Sequence, residues 1–199
     1  MQLYTHTLPS RAKLTGYLRD ETNEMPAFNI RPAMLILPGG GYAFCSAREA
    51  DPIAMQFLQA GYQTFVLEYT CAHTPEQAPL RWQPLIDAAG AILHLRRNAA
   101  KLRLDPFKIA VCGFSAGGHL AASTAILWDA APVQKALGIT AEEARPDAVV
   151  LGYPVITAGQ YAHRASITHV SRASGEPEQY WSLEENVSEK TPPTFLWHT

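Results

Sequence analysis

Five short stretches of the chain are almost continuously apolar: 33–37 (AMLIL), 64–67 (TFVL), 108–114 (KIAVCGF), 148–151 (AVVL) and 194–197 (TFLW). None alternates apolar with polar residues, so each fits a strand covered on both faces, as in a parallel sheet. Segments of helical length lie between them. Residues 53–60 carry Ile53, Phe57 and Leu58 at helical spacing and stop at Gly61, a good helix end. Residues 84–102 place Leu85, Ala89, Ile92 and Leu93 on one stripe. Residues 116–128 are rich in Ala and Gly, which suits a helix packed closely on a sheet. Strand–helix–strand repetition with right-handed crossovers predicts one α/β domain over 1–199, a mostly parallel sheet with helices on both faces. The N-terminal stretch before Pro32 is expected to add antiparallel edge strands, for instance at 13–18. Residues 157–193 show few apolar anchors and read as a cap or insertion over one end of the sheet, with one short helix.

Composition narrows the classes. Charged residues make up 17% of the 199, below the usual ~25%, and no repeat or low-complexity tract is present, which argues against disorder and coiled coil. A formal net charge of −2 with no basic run gives no electrostatic footprint for nucleic acid. No stretch approaches the ~18 apolar residues of a membrane span, and the N-terminus MQLYTHTLPSRAKL lacks a charged-then-apolar signal pattern. Together with Cys45, Cys71 and Cys112, which lack CxxC spacing, this predicts a cytoplasmic protein without a disulfide framework or zinc site. The low charge content also permits an apolar interface to a second copy of the chain.

Two glycine motifs carry the candidate chemistry. Gly113-Phe114-Ser115-Ala116-Gly117 follows the strand KIAVC and opens the Ala/Gly-rich helix. In that context GxSxG is a nucleophile turn: the serine sits on a tight strand-to-helix bend, and side chains at 113 or 117 would collide with neighbouring backbone. The bend lifts the Ser115 hydroxyl to a helix N-terminus, where partial positive charge favours a developing anion. Pro38-Gly39-Gly40-Gly41-Tyr42 directly follows AMLIL. Acyl transfer passes through an oxyanion that preorganised amides must meet, and glycines can turn their amides toward it. The amides of Gly40, Gly41 and Ala116 are the expected donors. A phosphate-binding loop fails on spacing, since neither GxGxxG nor GxxxxGK[ST] occurs.

With LILPGGGY (35–42), GFSAGGHLAAS (113–123) and TPPTFLWHT (191–199), the chain resembles the α/β-hydrolase esterases and lipases, and more narrowly the bacterial acetyl-esterase and xylan-esterase-like branch. Pro38 stands where lipase-like relatives often have histidine, as in the PGGGY variant of this branch. The resemblance implies a serine hydrolase of short-chain, chiefly acetyl, esters, including acetylated sugars, with no metal or organic cofactor. Its triad would be ordered Ser, Asp, His, with Ser115 as the nucleophile. In the family the acid follows the strand that matches 194–199, and the histidine follows one further strand. The chain ends at Thr199, so the resemblance implies a longer parent, whose last strand, helix and triad partners would occupy roughly 60 further residues.

The other polar residues read as structural. His119, one helical turn beyond Ser115, reads as packed or hydrogen-bonded; His163 and His169 as surface or substrate-edge residues of the cap; His198 as a packed or rim residue; His73 and His94 show no partner pattern. Asp147 precedes its strand and so falls at the wrong end of the sheet for a site. Asp87 reads as a first-turn residue favoured by the helix dipole, Asp105 before Pro106 as a turn, and Cys112 as core. Tyr42 and Tyr153 are pocket-lining candidates, with ordinary packing as the competing reading of each. Two rivals remain: a peptidase or acyltransferase on the same fold, and a non-catalytic or inactive hydrolase-like protein that binds a ligand or partner.

Overall fold

The computed structural model describes residues 1–73, 79–140 and 142–198. Seven strands form one sheet: β1 (Gln2–Thr7), β2 (Lys13–Leu18), β3 (Arg31–Leu37), β4 (Gln63–Glu68), β5 (Leu104–Phe114), β6 (Ala148–Gly152) and β7 (Thr194–Trp197). Their spatial order is β1-β2-β4-β3-β5-β6-β7. β1 and β2 are antiparallel, β2 pairs antiparallel with β4, and every other pair is parallel. The five strands read from continuous apolar runs are the five parallel ones, although β7, at the end of the sheet, is exposed at all four residues rather than covered on both faces, and the antiparallel strand expected at 13–18 is β2, one place in from the edge. β1, outside it, is a second antiparallel strand of the N-terminal stretch, at residues the sequence did not mark; it pairs on one side only and is mostly exposed.

The central strands point residues both ways, which is why their sequences do not alternate. Ala33, Leu35 and Leu37 of β3 join the larger core, while Met34 and Ile36 join a smaller one on the opposite face. Helix α1 (Asp51–Gln59) covers the smaller face through Ile53, Ala54 and Phe57. Its chain turns away at Gly61, where φ is +103°. α2 (Gln83–Arg97), the short α3 (Ala99–Leu102) and α4 (Ala116–Ile126) contribute to the larger core. The single stripe expected over 84–102 is thus broken at Asn98. A further helix, α5 (Ala131–Leu137), was not anticipated, although Pro132 near its start and Gly138 at φ +64° after its end are ordinary boundary signals.

β5 begins four residues earlier than expected. The Asp105 turn lies inside it: the Asp105 carboxylate accepts the Phe107 amide and pairs with Lys108, and the register against β3 shifts at this point. Asp147 sits at the amino end of β6, where it accepts from Arg96 and the Ile109 amide. Asp87 corrects its sequence reading. It is the fifth residue of α2, buried, and accepts from the Thr70 amide and the Gln83 side chain, so it ties the end of β4 to the helix.

Residues 157–193 hold α6 (Arg164–Ser171) and 3-10 turns at Glu178–Trp181 and Leu183–Glu185. The segment is better anchored than its sequence suggested. Ile167, Val170, Trp181 and Leu183 are all buried, and Trp181 lies in contact with Trp82 and His119. Among the described residues, no helix is long and apolar enough to cross a membrane.

Candidate active site at the carboxyl ends of the strands

Ser115 is the link between β5 and α4. Its backbone angles, φ +52° and ψ −119°, lie in a region that side-chain-bearing residues rarely adopt. Neighbouring backbone pins it there. The Ser115 amide donates to the Gly152 carbonyl at 3.2 Å, and its own carbonyl accepts from His119 and Val155, each at 3.0 Å. The flanking glycines are steric requirements. A Cβ on Gly113 would stand 2.1 Å from the Gly117 carbonyl oxygen, and one on Gly117 would stand 2.1 Å from the Leu37 carbonyl oxygen. The small residues of the motif therefore let α4 start directly against the end of β3.

That contact brings the second motif to the serine. A Cβ built on Gly39 would lie 3.0 Å from the Ser115 Cβ, so the glycine loop and the serine face each other with no room for a side chain between them. Gly40 has φ +130° and Gly41 has φ +65°. The Gly40 carbonyl accepts from the amides of Ala43 and Phe44, and the Gly39 carbonyl accepts from Ser46. The amides of Gly40, Gly41 and Ala116 donate to no acceptor among the described residues. Unengaged amides beside a hydroxyl at a helix N-terminus make a place where negative charge is favoured.

Glu49 was missed by the sequence reading. One carboxylate oxygen accepts the Gly39 amide at 2.7 Å, and the other accepts the Tyr153 hydroxyl at 2.8 Å. It clamps the start of the glycine loop to the residue after β6. In the sequence it is one charge among several in SAREAD, and no local spacing marks it.

The two tyrosines separate. Tyr42 is 1% exposed, and its hydroxyl donates to His119 Nδ1 at 2.8 Å. Its φ of +61° swings the side chain inward, so it is a core residue, and its place as a pocket-lining candidate is corrected. Tyr153 is 37% exposed, packs on Phe114 and Trp197, and stays at the rim. Burial first, then Glu49, pushes its phenol up to about 12.

His119 is fully buried. Its Nε2 donates to the Trp181 carbonyl at 3.1 Å while Nδ1 receives the Tyr42 hydroxyl, so it is a neutral core histidine. Desolvation lowers its pKa to about 4. The unfolded chain then binds more protons than the folded one between about pH 6.5 and 4. The contribution is complete above pH 6.5 and is lost as pH falls toward 4, up to roughly 3 kcal/mol. Urea denaturation at pH 7 and pH 4.5 should show this drop, to which half-buried His94, also pushed down to about 4 chiefly by burial, adds a smaller share, and His119→Gln should make it smaller. A variant with the full wild-type drop would locate the sensitivity elsewhere.

The remaining histidines have other roles. His169, half-buried on α6, donates from Nδ1 to the Gly41 carbonyl at 2.9 Å, so it supports the glycine loop from its edge. His163 is exposed, bonds Ser166 Oγ, and lies beside Gly41 at the rim. His94 has partners the sequence did not show: it stacks on His6 at 3.7 Å and bonds the Tyr4 hydroxyl. His73 and His198 are exposed, and Cys112 is core.

Comparisons with known proteins identify the family and the fold. The BD-FAE family model matches residues 23–199. The chain is 41% identical over 172 residues to Endo-1,4-beta-xylanase B of Butyrivibrio fibrisolvens, a match covering 85% of this chain and 27% of that protein. It thus spans about a quarter of that relative's length. An acetyl ester-xyloside bifunctional hydrolase from Caldicellulosiruptor lactoaceticus superposes with a TM-score of 0.75 at 33% identity, over 96% of this chain and 67% of that one. A carboxylesterase from Lactobacillus plantarum superposes with a TM-score of 0.83 at 26% identity, over 99% and 71%. The chain belongs to the BD-FAE family, on an α/β-hydrolase fold shared with carboxylesterases.

Proposed function

We propose that this chain carries the nucleophile and oxyanion hole of a serine carboxylic-ester hydrolase for short-chain, chiefly acetyl, esters, with acetylated sugars as the natural class. The observation that carries the reading is Ser115 held at φ +52° against Gly39, beside amides with no acceptor among the described residues. In this reading Ser115 Oγ attacks the ester carbonyl carbon and its proton passes to a base. The amides of Gly40, Gly41 and Ala116 receive the oxyanion, and they bind it better than the neutral carbonyl that precedes it. The alcohol leaves, and water then releases the acid from the acyl-serine. Acetyl preference is supported by the structural neighbour described as an acetyl ester-xyloside bifunctional hydrolase. The reading assigns Ser115 and the three amides; no described residue is assigned as base or acid.

One observation favours the binding-protein reading instead: His119, His169 and His94 are engaged away from Ser115. A fluorophosphonate probe separates the two. With no described residue assigned as base, the probe, mapped by peptide mass, is expected to reach Ser115 slowly and p-nitrophenyl acetate to turn over weakly, though faster than butyrate or octanoate; rapid labelling of Ser115 would mean an internal base among the described residues. A chain that never acquires the probe on Ser115, however long the exposure, would sink the hydrolase reading.

A further inference from the structure

Cys45 and Cys71 lie beneath the glycine loop and have no part in the chemistry above. Their sulfurs are 3.8 Å apart, although 26 positions separate them in the chain. Both also point at one backbone oxygen: the Tyr69 carbonyl accepts from Cys71 Sγ at 3.4 Å and from Cys45 Sγ at 3.9 Å. The segments that carry them are already tied together. The Ala72 amide donates to the Tyr42 carbonyl, and the Tyr69 hydroxyl donates to the Pro38 carbonyl. Both cysteines line a cavity of about 1060 Å³ that also includes Phe44 and His73. Cys45 is half-buried and Cys71 is 5% exposed, so the two thiols differ in access.

We propose that Cys45 and Cys71 form a reversible dithiol–disulfide site that reacts with a low-molecular-weight disulfide, such as glutathione disulfide, through Cys45. The Cys45 thiolate attacks one sulfur of the small disulfide and breaks its S–S bond, which gives a mixed disulfide and one glutathione thiolate. That thiolate takes up a proton. The Cys71 sulfur, on losing its own proton to solvent, attacks the Cys45 sulfur and expels the second glutathione. Two protein thiols are oxidised, one glutathione disulfide is reduced to two glutathione thiols, and no other reactant is required. Closing the pair from 3.8 Å to a bonded distance of about 2.05 Å takes a shift of under 2 Å, within reach of two loop segments already in contact. The hydrogen bond with Cys45, then burial, pushes the Cys71 thiol well up, and the greater exposure of Cys45 makes it the first point of attack. Cys112 is an internal control: it is 1% exposed in β5, its thiol is pushed up to about 12 by burial, and no other cysteine is near it among the described residues.

The test needs no ester substrate, so it stands apart from the hydrolase reading. The reduced chain is incubated with glutathione disulfide, its free thiols are titrated under denaturing conditions, and its peptides are mapped without reduction. The expected result is a fall from three free thiols to one, a peptide joining Cys45 to Cys71, and recovery of all three thiols with dithiothreitol. Cys71→Ser should instead hold a stable glutathione adduct on Cys45, and Cys45→Ser should keep both of its thiols. Three persisting thiols in the unaltered chain, or an adduct that stays on Cys45 without cross-linking, would overturn the proposal. If either variant fails to fold, the peptide map of the unaltered chain decides alone.

Discussion

Where the acid and histidine that the resemblance implies are joined to this chain, replacing Ser115 with alanine is expected to lower the turnover of p-nitrophenyl acetate by about a thousandfold or more, with KM little changed. The hydroxyl is the atom that attacks, so its loss removes an interaction made only along the reaction path. Folding should hardly notice: alanine keeps the same φ of +52° and the same backbone bonds to Gly152, His119 and Val155. Ser115→Gly separates the two properties. Glycine reaches φ +52° and ψ −119° without strain, which relieves about 1–3 kcal/mol, against about 0.4–1 kcal/mol for its greater freedom in the unfolded chain. The glycine variant should therefore be inactive and more stable than wild type by about 1 kcal/mol, while the alanine variant is inactive with unchanged stability. Chemical denaturation beside the rate assay reads both. An alanine variant retaining a tenth of the activity would take the nucleophile role from Ser115, and a glycine variant no more stable than the alanine one would show that the bend stores no strain.

The parts of this site that the sequence shows are those in which one local rule does the work. Gly113, Ser115 and Gly117 are legible because a strand-to-helix bend forbids side chains at two fixed positions, where an added Cβ would stand 2.1 Å from a backbone carbonyl oxygen. The central strands are legible because burial on both faces leaves no alternation to mistake for an exposed edge. What escapes is set by contacts across the chain. Glu49 holds Gly39 and Tyr153 from ten and 104 positions away. His169 reaches Gly41 across 128 positions. Tyr42 belongs to a legible motif, yet its direction depends on a positive φ and a buried partner at His119 that the motif does not encode. β1 escapes for a different reason: with one strand partner and much of its surface in solvent, it needs little apolar content and leaves little pattern.

Within the glycine loop, Gly40→Ala is expected to cost about 10²–10³-fold in turnover and Gly41→Ala only a few-fold. The difference is steric. A methyl on Gly40 would stand 2.0 Å from the Phe44 carbonyl oxygen, and φ of +130° is closed to alanine in any case. The loop must then rotate the Gly40–Gly41 peptide away, which breaks the bonds from Ala43 and Phe44 and turns the donor amides from their acceptor position. At Gly41 the nearest atoms to a methyl are His163 Cε1 at 3.9 Å and Ser166 Oγ at 4.0 Å, and φ of +65° is the left-handed conformation that alanine adopts for roughly 1–2 kcal/mol. Both variants should also lower the unfolding midpoint, Gly41→Ala by the few degrees that about 1–2 kcal/mol implies and Gly40→Ala by more, while their rates diverge far more widely. Equal losses at the two positions would reject the steric account, because they would mean that a methyl at Gly41 meets the substrate itself and that the acyl pocket lies between the glycine loop and α6.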